Sequence, residues 1–164
     1  MNHTLHTLRL AMDTERDKRN FYMMASQRLV SPFDHRIFRR MADHATDHLR
    51  MLKDIYETAE TASIFPTVWY KAETMWERGI WQLEEAKTVT DVDILKIAAE
   101  LQLKSYEFYH DLGAKAVNPF EKVFYCALAC EERKDFLIIN HTYSYMIDPE
   151  GWFESVERIS LDGG

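Results

Sequence analysis

Apolar residues recur at three- and four-residue spacing in four long stretches of the chain, and each stretch predicts a helix. The first runs from about Leu5 to Val30 and is stopped by Ser31-Pro32. The second starts near Asp34 and reaches about Ala59. The third begins after Asp91 or Asp93 and ends near Ala116. The fourth opens at Pro119, a good first-turn residue, and ends near Met146, which leaves 147–164 as a C-terminal tail. The short stops at Pro32 and Pro119 make each flanking pair an antiparallel hairpin. Residues 60–92 are too many for a structureless loop and suit a crossover between parallel helices. Within them Trp76, Ile80 and Leu83 predict a short amphipathic helix inside Ala72–Lys87. Trp69, Tyr70 and Trp81 are placed to cover one flank of a bundle. The expected fold is all-α: a single domain over 1–164, built as a four-helix bundle.

The chain also repeats itself at an offset of 87 residues. Ala11 meets Ala98, Phe21-Tyr22 meets Phe108-Tyr109, and Pro32-Phe33 meets Pro119-Phe120. Ala42 meets Ala129, and Tyr56 meets Tyr143, with no gap needed. The matches fall on turns and seams, as a duplicated helix hairpin requires.

Following each seam at heptad spacing brings out a polar layer. Glu15 and Lys18 interrupt the first seam between Ala11 and Tyr22. His48 interrupts the second, between Ala45 and Leu52. Gln102 and Ser105 interrupt the third, and Glu132 and Asp135 the fourth. A glutamate on a helix ordinarily faces water, and a lone histidine is ordinarily not a ligand. Here the polar positions share one register. Buried carboxylates cost several kcal/mol each unless they are paired, protonated or bound to a cation. Basic partners are few: Lys18 is one turn from Glu15, and Arg133 points off the seam. A divalent metal held by Glu15, His48, Gln102, Glu132 and Asp135 satisfies this layer most economically.

Composition narrows the alternatives. The 164 residues carry only five glycines and four prolines, which excludes collagen-like and low-complexity chains. Twenty basic residues against 27 acidic ones leave a net charge of -7, which argues against a nucleic-acid partner. The two cysteines, Cys126 and Cys130, are too few for a tetrahedral thiolate site and read as small buried or half-buried residues. No signal peptide and no membrane-spanning stretch are visible, so a cytoplasmic protein is expected. Phosphate-loop, dinucleotide, Ser-His-Asp and HExxH signatures are absent, and no organic cofactor is expected.

The pattern resembles the ferritin-like superfamily, and within it the rubrerythrin-like proteins. Ala11-x-x-x-Glu15 leading to Phe21-Tyr22 is similar to their first bundle helix, and Ala98 with Phe108-Tyr109 to their third. Met41-Ala42 and Leu128-Ala129 match the lead into the family's Glu-x-x-His turns, and the tail NHTYSYMIDPEGWF is similar to the end of such domains. The resemblance implies a di-iron site whose six positions fall on Glu15, Ala45, His48, Gln102, Glu132 and Asp135. Three of these depart from the pattern: Ala45 replaces a bridging glutamate, Gln102 a terminal glutamate, and Asp135 a histidine. The Cys-rich rubredoxin-like module is absent as well.

Without a bridge from Ala45, one metal per chain, iron or zinc, is expected rather than two. It would rest on Glu15, His48 and Glu132, with Tyr22 and Tyr109 as hydrogen-bonding neighbours. The resemblance also implies a homodimer. Three readings remain. The first is a single-metal protein with weak redox or peroxide-related chemistry. The second is a metal-free pseudo-enzyme that acts as a dimeric structural module or binds another protein, which aromatic surface at Trp69, Trp76 and Trp81 would favour. The third is a di-iron oxidase or peroxidase with atypical ligands.

Overall fold

Three times in this chain a short polar residue followed by proline starts a helix, because the side chain caps the free amides and proline has no N–H to lose. The computed structural model describes residues 3–61 and 73–162, and six helices fall within them. They are α1 (His3–Arg28), α2 (Pro32–Thr61), α3 (Met75–Glu85), α4 (Asp91–Lys115), α5 (Pro119–Ile147) and α6 (Pro149–Asp162). The chain divides into two compact units, Met1–Val89 and Thr90–Gly164. Among the described residues no helix is long and apolar enough to cross a membrane.

In the first unit α2 folds back on α1. Ser31 Oγ accepts from the Asp34 amide at 3.3 Å, so α2 begins at Pro32 itself rather than near Asp34. α3 packs on α1 and is tied to it at both ends. At its start, Thr74 Oγ1 accepts from the Glu77 amide at 3.2 Å and donates to the buried Asp17 carboxylate at 3.0 Å. At its end, the Arg28 guanidinium donates to the Leu83 carbonyl. Between these ties Trp76 is fully buried, its ring 5.3 Å from Phe21 and 5.2 Å from Tyr22. The expected crossover helix is therefore present, with Trp76 and Leu83 inward and Ile80 half-buried. Trp76 offers no aromatic surface to a partner: its spacing puts it on the same face as Leu83, against α1. Trp81 is exposed, while Trp69 and Tyr70 lie outside the described residues.

The second unit repeats the hairpin with α4 and α5. α4 opens with a reciprocal cap, in which Thr90 and Asp93 each satisfy the other's amide. Asn118 accepts from the Phe120 amide at 2.8 Å and starts α5 at Pro119. The turns Val30-Ser31-Pro32-Phe33 and Val117-Asn118-Pro119-Phe120 thus correspond residue by residue at the offset of 87. The tail departs from expectation. Asp148-Pro149 ends one helix and also begins another, with Asp148 Oδ1 accepting from the Gly151 amide at 3.0 Å. α6 lies against α5, where Trp152 meets Tyr145 edge-on at 5.5 Å.

The heptad positions are buried from Leu8 to Ala25 on α1, at Leu29 just beyond it, and from Tyr125 to Ile139 on α5. Leu112 and Thr142 are half-buried, and on α2 the heptad position Ile55 is exposed while its neighbour Tyr56 turns inward. The cysteines also correct the sequence reading: both Cys126 and Cys130 are exposed and free. Tyr125, Leu128, Ala129 and Glu132 occupy the inward face of α5, and a rotation of about 100° per residue carries 126 and 130 away from it.

Thr74 both caps α3 and answers a buried carboxylate on α1. Thr74→Val removes both bonds without a large change in volume. It is expected to lower stability by about 1–2 kcal/mol in urea unfolding.

Candidate metal centre

Glu15 and Lys18 stand one turn apart on α1, and Ala45 and His48 one turn apart on α2. All four are buried, with Glu15 at 0%, Lys18 at 1% and His48 at 3% exposure. Lys18 Nζ lies 2.8 Å from Glu15 Oε2, and His48 Nδ1 lies 3.5 Å from the same oxygen. Burial alone would push the Glu15 carboxyl up. The Lys18 charge and then the contact with His48 outweigh it, and together they bring it from 4.5 down to about 2. Glu15 is therefore an anion inside the protein, and the chain supplies the first counter-charge itself. The i,i+3 spacing of Glu15 and Lys18 was the signal for this pair in the sequence.

The second unit carries the corresponding positions on α4 and α5. Gln102, Ser105 and Glu132 have no exposed surface and Asp135 is 4% exposed, whereas Glu131, Arg133 and Lys134 face outward. Gln102 Nε2 donates to Glu132 Oε2 at 2.6 Å and to the Glu132 main-chain carbonyl at 3.2 Å. Both partners are acceptors, so the amide nitrogen must face them. Gln102 thus fixes the direction of the Glu132 carboxylate while adding no charge.

Neither His44 nor Asp47 substitutes for the missing carboxylate at Ala45. His44 is half-buried and its ring accepts from Arg40 Nε at 3.4 Å, while Asp47 is exposed and paired with Arg50 at 2.8 Å. Tyr22 and Tyr109 are buried in aromatic clusters, Tyr22 against Phe38 at 5.2 Å and Tyr109 against Phe108 at 5.0 Å.

Glu15 and His48 in the first unit, and Glu132 in the second, are each buried and each offer one atom able to ligate a divalent metal. The donor chemistry fits: two carboxylates and an imidazole suit zinc and non-haem iron alike. So does the spacing within the first unit. Ligands about 2.1 Å from a tetrahedral metal lie about 3.4 Å apart, close to the 3.5 Å between Glu15 and His48.

The rubrerythrin family model matches residues 6–134. The chain belongs to the rubrerythrin family. No curated protein matches it. One solved structure, "Hypothetical Protein Pfu-1136390-001" from Pyrococcus furiosus, is similar at 17% identity. That match has a TM-score of 0.65 and covers 87% of this chain and 89% of that one. At that identity the likeness shows the fold alone.

Because the Glu15 carboxyl sits below its unfolded value of 4.5, the native state gives up that proton more readily than the unfolded chain. The stability it contributes is present above about pH 4.5 and is lost as the pH falls toward 2. Urea unfolding across this window is expected to show Glu15→Gln losing less stability than the wild type, by roughly 3 kcal/mol.

Proposed function

We propose that this protein is a single-metal member of the rubrerythrin family that binds one iron or zinc ion per chain through Glu15, His48 and Glu132. The observation that carries the reading is the burial of an imidazole 3.5 Å from an ionised carboxylate, in a chain whose second buried glutamate is already oriented by an amide. Asp135, one turn along from Glu132, adds a further buried oxygen donor, and Gln102 acts by aiming Glu132. Ala45 supplies no second bridge, so the pair of metals that two-electron oxygen chemistry uses is not held. A divalent metal here supplies Lewis acidity, and iron also supplies one-electron redox chemistry, which is the basis for a weak peroxide-related role. Tyr22 and Tyr109 are proposed to hydrogen bond around the site, and the family resemblance supports a homodimer.

One observation favours a second reading. Lys18 already offsets the charge of Glu15, so the first hairpin is electrostatically satisfied without metal. On that reading the protein is a metal-free module of the same fold.

Elemental analysis of protein purified without added metal, and again after reconstitution with iron or zinc, separates the two. The expected value is close to one metal per chain, falling at least ten-fold in His48→Ala and in Glu132→Ala. A value near zero after reconstitution favours the metal-free module. A value near two, with an oxygen-dependent absorption change on ferrous loading, would show that Ala45 does not prevent a second metal.

A further inference from the structure

Lys18 has no counterpart in the second hairpin. The residue 87 positions later is Ser105, equally buried and neutral, just as Glu15 corresponds to neutral Gln102. At these two positions the first hairpin therefore carries a matched anion and cation, and the second a neutral pair. The lysine is also confined. Its side chain is 1% exposed, so its ammonium has no route to water while the helices hold, and it lies 2.8 Å from the same Glu15 oxygen that faces His48.

We propose that Lys18 sets the affinity of the metal site, as an internal cation that competes with the divalent metal for Glu15. The proposal rests on the single-metal reading above. Two effects follow from the geometry. First, a metal that approaches Glu15 meets a fixed positive charge within a low-dielectric interior, where repulsion is far stronger than in water. Affinity is lowered, and the site exchanges metal instead of trapping it. Second, Glu15 has a buried cation 2.8 Å away before any metal arrives, so the metal-free hairpin keeps its fold. A buried carboxylate left without either cation destabilises the hairpin. Lys18 thus exchanges strong metal retention for an apo state that is stable on its own.

The test is calorimetric titration with zinc at one fixed pH and ionic strength, on wild type, Lys18→Met, Lys18→Gln and Lys18→Arg. Thermal unfolding of each metal-free form is followed in parallel. Lys18→Met and Lys18→Gln are expected to bind zinc at least ten-fold more tightly than wild type and to melt lower without it. Lys18→Arg keeps the charge and is expected to stay within about three-fold of wild-type affinity. If neither neutral variant folds without metal, zinc is expected to restore their helical circular dichroism, and failure to do so overturns the proposal. If the wild type binds zinc and the neutral variants bind it equally or more weakly, the proposal is overturned while the single-metal reading stands. If no variant binds zinc or, in a parallel anaerobic titration, ferrous iron, both fall together.

Discussion

A carboxylate with no exposed surface has to be neutralised, and the rest of this structure follows from how Glu15 meets that requirement. Desolvating such a group costs several kcal/mol, a large part of the net stability of a domain this size. The chain answers with Lys18 one turn away on the same helix and His48 on the next. Both must be buried to reach it, so α1 and α2 pack closely around a charged layer. α3 encloses the other side of α1, with Thr74 bonded to Asp17 and Trp76 set on Phe21 and Tyr22. The ion pair and its enclosure are one construction: without the packing, Glu15 and Lys18 would be an ordinary surface pair worth less than about 1 kcal/mol.

The two hairpins carry complementary residues at matching positions. The first has Glu15 and His48, with Ala45 where the resemblance to the family implies a bridging carboxylate. The second has Glu132, with Gln102 and Asp135 where the resemblance implies two further ligands. What survives across the six positions is one imidazole and two glutamates, a set for one metal. The substituted positions are not idle. Gln102 spends its amide on Glu132, a contact a glutamate could make only if protonated. The Glu132 carboxylate is thereby held in one orientation.

Much of this was legible in the sequence because helix periodicity and burial are the same information. Heptad spacing put Glu15, Lys18, His48, Gln102, Glu132 and Asp135 on inward faces, and all six are buried. The duplication at 87 residues gave the two hairpins. The spacing offers Lys18 as a partner for Glu15, but whether the lysine stem stays inward or reaches out to water depends on its neighbours, and only the packing shows that it stays. The same limit hid the direction of the Gln102 amide. The tail was misread for another reason: Asp148-Pro149 signals both the end of one helix and the start of the next, and only packing of Trp152 on Tyr145 selects the second. The cysteines were misjudged by composition, since small thiols are usually buried, whereas their phase on α5 already pointed outward.

X-ray absorption at the metal edge of reconstituted protein tests the central claim most directly, because it reports the metal's own neighbours. The account predicts a shell of nitrogen and oxygen only, with the multiple scattering of a single imidazole ring and no metal–metal distance. A second metal at about 3.5–4 Å, or sulfur in the first shell, would contradict it.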